Sequence, residues 1–201
     1  MAQAGGQTAL DRDRVEQRVL EVIAKAMDRP VADVRPDSSL EADLGAQSLD
    51  FLDIAFSLER EFRIQFPRED FLQRASDHFG EENLVKDGVI TELGLKLLAK
   101  GMPELDPAAL TPGLKVTEVR QMFVVATFVR VVNQLLESKA AMDRTCPACQ
   151  AQMEESKSLP EFICPACGKS VPVPSGDEVL FQHVIGLQDG LSKGAASQGA
   201  Q

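Results

Sequence analysis

Leu40-Glu-Ala-Asp-Leu-Gly-Ala-Gln-Ser-Leu-Asp50 is the stretch on which the reading of this chain turns. It continues as Phe51-Leu-Asp-Ile-Ala-Phe56 and closes with Glu61-Phe-Arg-Ile-Gln-Phe-Pro67. Gly45 and Ala46 interrupt the chain, and Ser48 stands where a helix begins, the position at which a hydroxyl serves as N-cap. The helix is expected to run to about Phe62, and Pro67 ends the segment. Upstream, Val15, Val19, Val22, Ile23 and Met27 recur every three or four residues, which predicts an amphipathic helix over Asp11–Met27 ended by Pro30. From Asp37 to Asp70 nine acidic residues face three basic ones. A charge run is ordinarily a solvated helix face. An acidic rim beside a helix-start serine, between two amphipathic helices, is more particular.

Farther out, Asp70–Phe79 and Thr91–Lys100 read as helices separated by a loop around Gly88, and Pro103, Pro107, Pro112 and Gly113 then break the pattern. Thr117 is expected to cap one long helix to about Ser138, with Met122, Val125, Val129, Val132 and Leu136 on one face. A cysteine segment over 145–174 and a short helix capped by Asp177 complete the chain. The polar ends, 1–8 and 193–201, read as disordered tails.

The cysteine segment carries the second chemical signal. Cys146-Pro-Ala-Cys149 and Cys164-Pro-Ala-Cys167 are two Cys-x-x-Cys doublets fourteen residues apart. Four thiolates at that spacing close a tetrahedral Zn²⁺ site of the zinc-ribbon kind. The rival readings are two structural disulfides and a redox-active dithiol. The first suits a reducing compartment poorly, and the second needs a single doublet at the end of a strand in an αβ unit. Few large apolar side chains lie near the cysteines, so metal supplies the folding energy of 139–175, and its removal is expected to disorder roughly 143–174 and free the helix over 176–192. His183 reads as a core or interface residue and His78 as a helix-end surface residue, so neither is needed as a ligand.

Composition narrows the field. The 201 residues carry a net charge of −10 with a pI near 4.7. A general nucleic-acid binder shows the opposite sign, and the cysteine half, with seven acids and four bases over 140–201, is no exception. No apolar run approaches the ~20 residues of a membrane span, and the first residues lack a basic-then-apolar leader, which points to a cytoplasmic protein.

Taken together, Asp43-Leu-Gly-Ala-Gln-Ser-Leu-Asp50 and its two flanking helices resemble an acyl carrier protein over residues 11–67. The continuation through Phe56 and the Glu61–Pro67 ending are similar to the specialised carriers that deliver very-long-chain acyl groups to lipid A. The resemblance implies a mostly α fold: a carrier-type helical bundle over 9–138, an inserted helical segment at 68–114, then the zinc-ribbon module and terminal helix. It implies a carrier and not an enzyme. A phosphopantetheinyl transferase would attach phosphopantetheine to Ser48, whose phosphodiester suits a helix N-terminus. Asp50, Asp53, Glu59 and Glu61 would dock acyl-transferring or acyl-modifying enzymes of fatty-acid or lipid A-type synthesis. The resemblance departs at Gln47, where the family usually has Asp. An unmodified pseudo-carrier serving as a zinc-stapled adaptor is the alternative, and a dithiol oxidoreductase the third reading. The inserted segment either enlarges an apolar cleft or packs on its own.

Overall fold

The computed structural model describes the backbone of residues 11–195 and side chains through 188; most of the two expected tails lies outside that range. Helix α1 spans Arg12–Ala26, started by the Asp11 carboxylate accepting the Arg14 N–H. Helix α2 spans Ser48–Phe62. Val15, Val19 and Ile23 of α1 meet Ile54 and Leu58 of α2 and Leu40 and Leu44 of the intervening loop in a first core. Its third wall is α7, Val125–Ala140, through Val125, Val129, Val132 and Leu135.

The long helix expected over 117–138 is not continuous. A short helix α6, Val116–Val119, and one 3₁₀ turn, Arg120–Met122, precede an extended break at Phe123 and Val124. Tertiary pairing outweighs the helical pattern here. The Phe123 carbonyl accepts the Leu40 N–H at 3.2 Å, and the Val125 N–H reaches Ser38 O at 3.0 Å, which locks the loop before α2 onto the start of α7. The Lys115 N–H donates to Glu118 at 2.8 Å, so the cap lies before Thr117.

Between α2 and α6 lie α3 (Phe71–Phe79), α4 (Glu81–Leu84), a β-hairpin of β1 (Val85–Lys86) and β2 (Val89–Ile90), and α5 (Glu92–Gly101). The loop expected around Gly88 is thus a two-residue hairpin turn, with Asp87 and Gly88 at φ +53° and +76°, the Asp-Gly signature of a type I′ turn. This segment owns a second core of Phe71, Leu72, Leu84, Leu97, Leu98 and Met102. The last helix, α8 (Gly176–Ala195), runs past the expected end at 192 and places Leu180 and Val184 in that same core. The terminal helix is therefore held by the inserted segment, whereas the sequence left it hanging on the ribbon. Its cap is Ser175, whose hydroxyl accepts the Glu178 N–H at 3.2 Å; Asp177 instead accepts the N–H groups of Arg68 and Glu69 at 2.8 and 3.0 Å. A Cβ on Gly176 would come within 2.2 Å of Pro67 N, so only glycine lets α8 start this close to the chain leaving α2.

The third unit is a three-stranded antiparallel sheet in the order β3 (Glu154–Glu155), β4 (Glu161–Ile163), β5 (Ser170–Pro172). Phe162 pairs with Glu155 on one side and Val171 on the other, and packs with Cys146, Met153, Cys164 and Val173. Among the described residues no helix is long and apolar enough to cross a membrane.

Candidate functional site

Ser48 is exposed and is the first residue of α2, one place later than an N-cap. Gln47 holds the cap position in extended backbone, and the Asp50 carboxylate reaches back to its N–H at 2.7 Å. The helix start is thus fastened by Asp50, and the Ser48 hydroxyl has no hydrogen-bond partner among the described residues. An uncommitted hydroxyl beside the free N–H groups and positive dipole end of a fifteen-residue helix is well placed to carry a phosphate.

The carboxylates named with it take different parts. Asp53 is exposed and without an ion-pair partner among the described residues. Glu61 pairs with Arg18 at 2.6 Å, and that hydrogen bond holds its carboxyl below the ordinary value. Glu59 turns inward, accepting the Phe66 N–H at 2.8 Å and the Arg68 guanidinium at 3.0 Å, and so closes the turn after α2. Beside Asp53 the solvent face of α2 shows Leu49, Leu52 and Phe56, at 77%, 51% and 48% exposure. Sequence reasoning passed over this stripe, although its spacing of three and four residues is legible once Ile54, Ala55 and Leu58 are given to the core.

One helical turn past Ser48, Phe51 and Leu52 line a cleft of about 380 Å³. Ala55 and Phe128 complete the carrier side, and Phe71, Leu72, Leu98, Met102 and Leu180 form the opposite wall. The two expectations for the inserted segment therefore merge: it has its own core, and it walls a cleft against α2.

The four cysteines converge. All four Sγ atoms lie within 4.8 Å of one another, Cys146 to Cys167 at 3.6 Å and Cys149 to Cys164 at 3.5 Å. Zn–S bonds of ~2.3 Å give tetrahedral edges of ~3.8 Å, so the donor set fits one tetrahedral ion. The two doublets fold alike. The Cys146 N–H meets Ala151 O and the Cys164 N–H meets Lys169 O, both at 2.8 Å, with Gln150 and Gly168 at φ +63° and +75°. Burial pushes the Cys146 thiol up, but N–H groups of Ala148 and Cys149 and the neighbouring thiols bring it down to about 6. Cys149 receives the Ala151 N–H, yet sharing protons with Cys164 and Cys167 drives it up to about 12. In the metal-free protein the Cys146 thiolate is favoured and Cys149 and Cys167 resist joining it, the repulsion that a divalent cation removes. Each doublet faces the other, so neither is a lone dithiol. The cluster can hold a metal ion such as zinc.

His183 lies away from both places. It is half-buried, meeting Gly101 O at 3.0 Å and the Gln134 amide at 3.2 Å, and burial lowers its pKa.

Residues 17–76 match the family model described as a phosphopantetheine attachment site. Among curated proteins the chain is similar to the acyl carrier protein AcpXL of Rhizobium etli and to that of Mesorhizobium japonicum, each 38% identical over 60 residues. The match takes in 30% of this chain and 65% and 64% of those relatives, a little under two thirds of their length.

Proposed function

We propose that the chain is an acyl carrier protein with Ser48 as its attachment point, because residues 17–76 match the phosphopantetheine-attachment-site family model. The observation that carries this is the exposed, unpartnered Ser48 hydroxyl at the start of α2 inside the matched segment. A covalent phosphopantetheine supplies a terminal thiol that takes an acyl chain as a thioester. The chain's own residues do the rest. Gln47 and Asp50 fix the helix start, which leaves the N-terminal N–H groups of α2 available to a phosphodiester that Ser48 would carry. Leu49, Leu52 and Phe56 form the apolar part of a docking face, with Asp53, Asp50 and Glu61 as its acidic rim, for a phosphopantetheinyl transferase and for acyl-handling enzymes. Glu59 supports that face from within. The cleft beyond Phe51 and Leu52 takes the proximal carbons of the carried chain, an acyl group of fatty-acid or lipid A-type synthesis whose remaining carbons extend past the second wall. Cys146, Cys149, Cys164 and Cys167 hold one Zn²⁺ as a structural ribbon. The protein then serves as a cytoplasmic carrier with no catalytic residue of its own.

The test is intact-mass analysis of the full chain after incubation with coenzyme A and a phosphopantetheinyl transferase. One arm per chain is expected on the wild type and none on Ser48→Ala. A wild type left unmodified by several transferases, its host's own included, overturns the carrier reading in favour of the adaptor.

A further inference from the structure

Lys139 is the one buried Lys or Arg among the described residues, its side chain only 9% exposed at the end of α7. Its ammonium donates to Phe62 O and Arg63 O, each at 3.1 Å, the terminal carbonyls of α2 that have no partner within the helix. Its third bond goes to Glu155 Oε1 on β3 of the ribbon at 2.6 Å. The same oxygen accepts from Arg63 Nε at 2.7 Å, and Arg63 sits in the left-handed region at φ +50°, unusual for a residue with a side chain. A second contact joins the modules where the Gln65 side-chain amide reaches Val173 O at 3.4 Å.

The ribbon thus supplies the counter-charge that lets a buried ammonium cap α2. Glu155 stands opposite Phe162, which is 1% exposed and packed against Cys146 and Cys164. The place of that carboxylate is therefore set by the cluster that the cysteines knit together. We infer that the ribbon is a latch on the C-terminal end of α2, so that metal occupancy of the four cysteines and the fastening of the Ser48-bearing helix are thermodynamically coupled. The inference rests on reading the cluster as a metal site. With metal bound, Glu155 is held in place, Lys139 keeps its counter-charge, and the carbonyls of Phe62 and Arg63 stay capped. With metal removed, the carboxylate leaves and the buried ammonium follows it toward water, uncovering the end of α2. Linkage requires the converse: loosening that end weakens metal binding by the same factor.

The experiment uses the full chain, zinc-loaded and chelated, with amide hydrogen exchange read over residues 59–65 and α1 as the internal reference. Removing zinc should speed exchange over 59–65 by about fivefold or more, the lower end of ordinary site-to-site coupling, and leave α1 unchanged. Lys139→Met should weaken zinc, titrated against a chromophoric chelator, by the same factor. Glu155→Gln, which leaves the cysteines and their strands intact, should still fold the ribbon around zinc but loosen 59–65 and weaken zinc by that same factor, and it serves if Lys139→Met does not fold. Unchanged exchange over 59–65 while the ribbon amides collapse overturns the coupling alone. A chain that takes up no zinc overturns the metal reading and the coupling with it.

Discussion

Thioesters on the arm proposed for Ser48 should resist hydrolysis in steps that follow the cleft between α2 and the inserted segment. The cavity of about 380 Å³, at roughly 30 Å³ for a water-sized group, admits on the order of a dozen methylenes. Full burial of each contributes about 0.8 kcal/mol, a factor of about four in the equilibrium between sheltered and exposed chain. The cleft is open along the rim formed by Arg68 and Arg120, so half that gain, about twofold per carbon, is the expected step. Between four and twelve carbons the hydrolysis rate at fixed pH should fall by on the order of two hundredfold, then level off because further carbons remain in water. Ala55→Leu, projecting from α2 into the cleft, should bring the plateau forward by about three carbons. The assay is the release of thiol from a series of saturated acyl thioesters on the full chain. A rate independent of chain length would refute the sheltering, and a rate still falling well beyond a dozen carbons would refute the volume argument.

Chelation should strip amide protection from roughly 143–174 but leave α8 helical, because Leu180 and Val184 belong to the core of the inserted segment; melting of α8 along with the ribbon would place its anchorage there instead. Ser48→Ala should change stability by no more than about 0.5 kcal/mol, as for an exposed residue outside the cap. Asp50→Ala should cost about 1 kcal/mol and lower Tm by ~2–4 °C, because it unfastens the Gln47 N–H; equal losses in the two variants would return the capping role to Ser48. His183, half-buried beside Gly101 O and Gln134, has its folded pKa below the ordinary 6.5. The unfolded chain therefore binds its proton first, and stability should decline as pH falls through about 6.5, before the carboxylates titrate. His183→Gln should flatten the denaturation profile between about pH 6.5 and 5, and an unchanged slope would refute the assignment.

Both candidate sites stand out in the residues for a common reason: each is local. Ser48 stands a few residues from the glycine, the acidic residues and the helix that define it, and each Cys-x-x-Cys doublet makes its turn within four residues. The amphipathic helices were legible as well, because Val15, Val19 and Ile23, or Val125, Val129 and Val132, show their burial as periodicity. Even the hairpin at Asp87-Gly88 was written in the chain, though a loop was expected there.

What the tertiary structure alone decided are the joints between these units. The helix expected over 117–138 breaks at Phe123 because Leu40, eighty-three residues earlier, claims its carbonyl. Glu59 is an acidic residue like Asp50, Asp53 and Glu61 and is nevertheless turned inward by Phe66 and Arg68. Lys139 reads as an ordinary basic residue at a helix C-terminus, and only the approach of Glu155 from the ribbon makes it a buried latch. Periodicity and short motifs report which face a segment buries and which ligands it offers. They do not report what a carbonyl, a carboxylate or an ammonium meets across a distance that the folded chain, and not the sequence, closes.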